Sequence, residues 1–394
     1  MNQDISVVIA AYFHSDEFKL TFANLLNQSK SAHEIIVIDS SADDLIQDYI
    51  NGIKDMYDIE IVYVRPKKRL FPGAARNLGA SLAKYHWIAF LDSKTVPNFD
   101  WLKSAIDTAI LCKVNLVFGK TRYQACTIFQ FLIIASTYGY DPIITLPGTL
   151  ISREKFLSTE GFNDIVRSGE DVQWRANASK NFLHSYLDDK FALSYASTPK
   201  NLYKASKKFF TYQMYSALVD IQVNARSVFL AVFLILVTLI VPRWNSLLPG
   251  WDEHPLYIPD ITKLYILSIS FIVMLLMIYN RSFLSLKSNS PISRALNFTI
   301  LILGLTIALR WNHVVAGFVE SSSLYIPHIT KIFLSLIGIG ALCFRGIYFP
   351  LTHGIMLKDI FPFQWIRIGI VGSFLDIIKA PGYIIGAIWK ILKF

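Results

Sequence analysis

Four stretches between Arg226 and Arg345 carry no charged side chain, and each is closed at both ends by a basic residue. They run from Arg226 to Arg243, Lys263 to Arg281, Arg294 to Arg310 and Lys331 to Arg345. A helix that crosses a bilayer needs roughly 17 to 25 largely apolar residues. The first two runs qualify. The last two are short and cross only if Arg310 and Arg345 snorkel to an interface; otherwise they are buried core helices. Loop charge sets the orientation. The segment from Arg281 to Arg294 holds Arg281, Lys287 and Arg294 without an acid, and the tail holds Arg345, Lys358, Arg367, Lys379, Lys390 and Lys393. The loop from Arg243 to Lys263 sets two bases against Asp252, Glu253 and Asp260. The positive-inside rule then puts the N-terminal half and the C-terminus on the cytoplasmic side of the inner membrane, with about four crossings in a multi-pass arrangement. The tail beyond Pro350 contains Pro362 and Pro381 and reads as interfacial helices.

Composition agrees with such a split. Charged residues make up 17% of the chain, against roughly 25% in an ordinary soluble domain. The formal charge of +9 suits anionic headgroups or a phosphate-bearing ligand. It does not suit nucleic acid, because the lysines and arginines punctuate apolar runs instead of forming a polar groove. The three cysteines, Cys112, Cys126 and Cys343, are scattered and offer neither a disulfide framework nor a zinc spacing. The histidines likewise show no metal-binding spacing.

Before residue 195 the pattern changes. Ile5–Ala11, Glu34–Asp39, Ile59–Val64, Trp87–Leu91 and Asn115–Phe118 are β-branched or aromatic runs separated by amphipathic stretches such as Ser15–Gln28 and Asp43–Lys54. This alternation predicts βαβ units and a mainly parallel, Rossmann-like α/β sheet. The stretch Ile5–Phe13 reads as a first strand, not as a secretory leader. Three units follow: a sheet domain over 1–195, an amphipathic interfacial linker over 196–226, and transmembrane and interfacial helices over 227–394. At about 100° per residue the linker places Leu202, Ala205, Phe209 and Tyr212 on one stripe, with Lys200, Lys204, Lys207 and Lys208 opposite. That pattern fits a helix on the inner membrane surface, or a surface helix packed on the sheet domain.

Carboxylates mark the ends of the apolar runs. Asp39 closes Ile35-Ile-Val-Ile38, Asp92 closes Trp87-Ile-Ala-Phe-Leu91, and Glu170-Asp171 follows Gly169. In open α/β sheets such positions face the ligand crevice. The order Ser6-Val-Val-Ile-Ala-Ala-Tyr12, Ile38-Asp-Ser-Ser-Ala-Asp-Asp44, Gly73-Ala-Ala-Arg76-Asn77-Leu-Gly79, Phe90-Leu-Asp92-Ser-Lys94 and Gly169-Glu-Asp171 resembles the family 2 glycosyltransferases of the GT-A fold over about residues 5–195. The departures are Ala10 for proline, Ser40 for a second aspartate, and Lys94 for the second acid of the Asp-x-Asp motif.

The resemblance implies a nucleotide-diphosphate sugar donor. It also implies an inverting transfer to a hydroxyl of a lipid-linked or membrane-proximal acceptor. Tyr12, Asp39, Asp44, Arg76 and Asn77 would serve the nucleotide, with Asp39 on the base. Asp92 would face the diphosphate and any Mn²⁺ or Mg²⁺. Asp171 would be the general base, with Glu170 orienting it or the acceptor. Lys94 puts the metal in doubt: either Asp92 and the diphosphate alone hold a cation, or the Lys94 ammonium itself meets the departing phosphate. A base is needed for a sugar hydroxyl but not for an anionic polyprenyl phosphate, which favours a lipid-linked saccharide over polyprenyl-phosphate sugar synthesis. A membrane-anchored nucleotide-sugar-binding protein without catalysis is the remaining alternative. Trp101 and Trp174 are candidates for either the core or the acceptor pocket.

Overall fold

A computed structural model of the chain describes residues 3–13, 15–219 and 339–393. The first three uncharged runs, and residues 331–338 of the fourth, lie outside the described residues, so the spans read from them stand as sequence expectations. The chain begins β1 (Ile5–Ala11), α1 (Ser15–Leu26), β2 (Glu34–Asp39), α2 (Leu45–Ile53), β3 (Glu60–Val64) and α3 (Pro72–Leu82). It continues β4 (Trp87–Asp92), α4 (Trp101–Cys112), β5 (Leu116–Tyr123), α5 (Ile128–Thr137), β6 (Ile143–Ser152) and α6 (Arg153–Leu157). Then come α7 (Glu170–Asn181), β7 (His184–Tyr186), β8 (Leu193–Tyr195) and α8 (Leu202–Leu218). Among the described residues from 339 on, short helical segments at Phe344–Tyr348, Phe349–Thr352 and Leu357–Ile360 precede α9 (Gln364–Lys393), which closes the described chain.

The sheet runs in the order β3-β2-β1-β4-β6-β5-β7, with β8 also on β5. Strands β1 to β4 are parallel, as the alternation predicts, whereas β6 runs antiparallel to both β4 and β5. Parallel strands must be covered on both faces, and these are. Ile5, Val7 and Ile9 pack under Phe18, Phe22 and Ile50 on one side, while Val8, Ile36 and Ile38 pack under Ala75 and Ala80 of α3 on the other. The register pairs Ala11 with Asp39 and Ala10 with Asp92, so the two carboxylates flank the end of β1 at one edge of the sheet.

Helix α3 comes close to this sheet because of Gly79, where an added Cβ would lie 2.4 Å from Val8 Cγ1. Neither the helix backbone nor the β-branched strand residue yields readily. Gly79→Ala is therefore expected to destabilise the fold by about 1–3 kcal/mol, the usual cost of overpacking a dense core. Unfolding of the detergent-solubilised protein checks this, and a variant as stable as wild type would mean that the two elements can part at no cost.

Two features depart from the sequence reading. The tail is not a set of separate interfacial helices: α9 is continuous through Pro381. Gln364–Lys390 is long and apolar enough to cross a membrane, although nearly half of its most apolar window is buried within the protein. The stripe of α8 is covered only in part, with Leu202 and Tyr212 left exposed. Phe209 and Ala205 are buried in a cluster with Ile133 of α5 and Leu375 of α9. The crossing of α8 and α9 is tight at Gly382 and Gly386, whose added Cβ atoms would meet Phe210 O at 2.6 Å and Met214 O at 2.1 Å. Small residues four apart allow two helix backbones to approach in this way. Arg345 doubly hydrogen-bonds Asp376 of α9 at 2.5 and 2.7 Å, and Lys379 reaches the same carboxylate at 3.2 Å.

Candidate active site

At the ends of β1, β2 and β3 the loops are tied into a cradle. Asp39 is fully buried; its Oδ1 accepts from the Ser41 amide at 2.9 Å and its Oδ2 from the Tyr63 hydroxyl at 2.9 Å. Burial, together with the bond to Asp39, pushes the Tyr63 hydroxyl pKa well up and keeps it a donor. The Phe13 amide, at a φ of 53°, donates to Ser41 Oγ at 2.7 Å. Arg65, just past β3, donates to Asp44 and to the Asp43 carbonyl, and the Arg69 guanidinium stacks 3.9 Å from the centroid of the Tyr12 ring. The sequence places Tyr12, Asp39 and Asp44 here correctly as neighbours. It assigns Asp39 to the nucleobase, however, and the structure engages both carboxylate oxygens within the protein. Arg65, Arg69 and Tyr63 were missed. Their only signal is position, at or just beyond the carboxyl end of a strand.

The second part of the site centres on Arg76. It is 5% exposed and points from α3 into the protein, donating to Asp92 Oδ1 and to Glu170 Oε1, each at 2.7 Å. Burial works against its charge, but Asp92, Glu170 and Asp171 outweigh that and hold its pKa above the ordinary arginine value. Arg76 therefore clamps two carboxylates together, a different place from the nucleotide pocket expected of it. Asn77 departs further: its amide donates to Phe162 O at 2.8 Å and accepts from Phe162 N at 2.9 Å, so it fastens the loop before α7. Gly73 serves the same approach, since an added Cβ would lie 2.2 Å from Asn163 O and 3.2 Å from Glu170 Cγ.

Helix α7 begins at Gly169, whose φ of 91° only glycine adopts without strain, and this turn presents Glu170 and Asp171 in the first helical turn. Glu170 is 4% exposed, with Oε2 unpartnered. Burial pushes its carboxyl up to about 7 against the pull of Arg76, and the Asp171 charge adds to the rise. Asp171 has neither a hydrogen bond nor an ion pair among the described residues, and it lines a cavity of about 700 Å³. Asp92, Arg76, Thr95 and Glu170 line the same cavity, as do Tyr123, Tyr138 and Tyr195, which lie beneath α8. Tyr123 and Tyr138 stack at 4.0 Å.

Lys94 is half-buried in the turn after β4 and is not among the residues that line the cavity. Burial lowers its pKa, and the charges of Glu17 and Asp92 partly oppose this. Trp174 packs among Phe90, Phe156 and Phe162, and the Trp101 indole donates to Gly148 O at 3.0 Å; both belong to the core. A divalent cation has a poor donor set here. No group of three metal-ligating side chains occurs among the described residues, Asp92 has one oxygen committed to Arg76, and position 94 is a lysine. The residues do not fit a protein-held Mn²⁺ or Mg²⁺ centre, contrary to the role expected of Asp92.

Residues 6–134 match the family model for glycosyl transferase family 2. The chain is similar to a chondroitin synthase of Escherichia coli, 25% identical over 179 residues that cover 45% of this chain and 24% of that protein. It is also similar to the E. coli UDP-Glc:alpha-D-GlcNAc-diphosphoundecaprenol beta-1,3-glucosyltransferase, 37% identical over 89 residues, 23% of this chain and 34% of the relative. The matches thus span about a third or less of these relatives. A solved mannosyltransferase of Pyrobaculum calidifontis aligns over 96% of this chain and 86% of its own at 12% identity, with a TM-score of 0.47.

Proposed function

We propose, from the match of residues 6–134 to the family model for glycosyl transferase family 2, that the chain moves a sugar, with inversion, from a nucleotide-diphosphate sugar to a hydroxyl of a lipid-linked saccharide at the cytoplasmic face of a membrane. One observation carries the reading. Among the described residues Asp171 is a carboxylate without a protein partner, on the wall of a cavity that also contains the Arg76–Asp92–Glu170 clamp. In the transfer, Asp171 takes the proton from the acceptor hydroxyl as its oxygen forms the new bond to the anomeric carbon. The bond from that carbon to the diphosphate breaks, and the nucleoside diphosphate leaves with the electron pair. Arg76 fixes Asp92 and Glu170 on either side of the reacting groups. The lipid-linked acceptor draws support from the diphosphoundecaprenol-linked acceptor named for the E. coli glucosyltransferase and from the apolar helix α9, whose Lys379 lines the cavity.

The test is transfer in detergent from a panel of nucleotide sugars to two acceptors, a sugar on undecaprenyl diphosphate and undecaprenyl phosphate itself. Transfer to the first with inverted anomeric configuration is the expected result. Transfer to the phosphate alone would make the chain a polyprenyl-phosphate sugar synthase, and donor binding without hydrolysis or transfer would make it a binding protein. Because the donor set does not suit a divalent cation, transfer is expected to survive EDTA. Silence under EDTA with recovery on added Mn²⁺ would show that Asp92 and the diphosphate suffice as ligands.

A further inference from the structure

The cavity holds more positive charge than its carboxylates neutralise, and one cation stands out. Arg76 is matched by Asp92 and Glu170, while Arg345 and Lys379 share Asp376. Arg167 has no acidic partner among the described residues but is exposed, where water solvates a guanidinium. Lys208 of α8 lines the cavity, is drawn back from water, and has no acidic partner among the described residues. Its ammonium lies 5.5 Å from the centroid of the Tyr195 ring and 5.3 Å from that of Tyr212. Withdrawal from water and the nearby Lys94 press its pKa down to about 8.

Withholding an ammonium from water without an anion is costly. The tyrosine faces offset only part of that cost, since a cation over a ring gains about 0.5–2 kcal/mol. A fold that keeps such a group on the wall of a cavity that Asp92 and Thr95 also line has a place for an anion that arrives from outside. The sequence reading assigned Lys208 to the outer face of α8 with Lys204 and Lys207; in the structure those two are exposed and Lys208 turns inward.

We propose that Lys208 is a diphosphate-binding group of this site: its ammonium donates to a diphosphate oxygen and opposes the negative charge that grows there. The proposal rests on the transfer reading above for its consequence in turnover, but not for binding. Two diphosphates share this chemistry, that of the nucleotide donor and that of a lipid-linked acceptor, and the experiment separates them. UDP alone, with the full chain in detergent and no acceptor, is titrated against wild type, Lys208→Met and Lys208→Arg. A charge-assisted hydrogen bond of this kind corresponds to a loss of roughly 10- to 100-fold. If the donor diphosphate is the ligand, Lys208→Met weakens UDP by that factor, Lys208→Arg retains most of the affinity, and the acceptor KM is unchanged. If the acceptor diphosphate is the ligand, UDP binding is unchanged and the KM for an undecaprenyl-diphosphate sugar rises instead. Unchanged UDP affinity together with unchanged acceptor KM overturns the proposal. A protein that transfers no sugar, yet loses UDP binding in Lys208→Met and keeps it in Lys208→Arg, would defeat the transfer reading and leave the binding site standing. Thermal unfolding of both variants separates loss of the site from loss of the fold.

Discussion

Replacing Asp171 by asparagine is expected to cut turnover by roughly 10²- to 10⁴-fold, the range that a positioned base contributes, while UDP affinity stays within a few-fold of wild type. The substitution keeps the shape of the side chain and the start of α7, and it removes only the ability to take a proton. The neighbouring carboxylate cannot stand in. Glu170 is 4% exposed and bound to Arg76, so its position is fixed by the clamp and not by a substrate. Asp92 likewise spends one oxygen on Arg76. Turnover and UDP binding must be measured separately, because a loss shared equally by both would indicate a damaged pocket and not a missing base. An Asp171→Asn enzyme that turns over like wild type would remove this residue from the mechanism.

The central strands were legible because strands buried on both faces must be apolar at every position. Val7–Ala11 and Trp87–Leu91 therefore stand out as unbroken runs. Strand β5 was read only to Phe118, since Lys120 and Arg122 break the run where the strand nears the cavity and its surface becomes mixed. Strand β6 was missed because Pro147 and Gly148 interrupt it, and both are loop signals taken locally; Gly148, at a φ of 88°, lies where the chain passes Gly119 of β5 at close range. Strands β7 and β8 have three residues each, too few for a periodicity to register. Pro381 misled in the opposite sense. It is a helix breaker by intrinsic preference, but it is accommodated inside α9 beside the tight crossing with α8.

The chemistry was legible as a set of residue types and less so as a set of contacts. A carboxylate at the end of a buried strand has few places to go, so Asp39 and Asp92 stood out, whereas Asp171 stood out only by the Gly169-Glu-Asp171 motif at the start of α7. Which group each one meets depends on elements far off in the chain: Arg76 and Glu170 are bonded across a separation of 94 residues. The wheel for α8 grouped Ala205 and Phe209, which pack on α5 as the reading of a helix on the sheet domain had it, but it set Lys208 outward and did not foresee α9. The helix it packs on, α9, begins at Gln364, and no pattern within residues 196–226 encodes that partner. Arg345 and Lys379 reach the cavity for the same reason.

The clamp itself makes a prediction that stability can test without any substrate. Arg76→Met keeps much of the side-chain volume and leaves Glu170 buried without its cation, a change expected to cost about 3–5 kcal/mol at pH 9, where the carboxyl must ionise unpaired or hold its proton against the solvent. The dependence on pH identifies the cause. Glu170 has a folded pKa raised to about 7 from an ordinary 4.5, so the folded state holds a proton that the unfolded chain has given up. Its contribution is therefore greatest below 4.5 and is lost as pH rises to about 7, after which the wild-type curve levels. In Arg76→Met nothing pulls the carboxyl down, so the proton stays on and stability continues to fall above pH 7, by up to about 1.4 kcal/mol per unit. The gap between the two proteins should widen from pH 7 to pH 9 in denaturant unfolding and stay nearly constant between pH 5 and pH 6.5. Adding Glu170→Gln to the variant removes the charge that must be kept out of the interior, so the double variant should recover most of the lost stability at pH 9 and show no slope there. A gap that is the same at every pH would mean that packing around Arg76, and not its hold on Glu170, carries the cost.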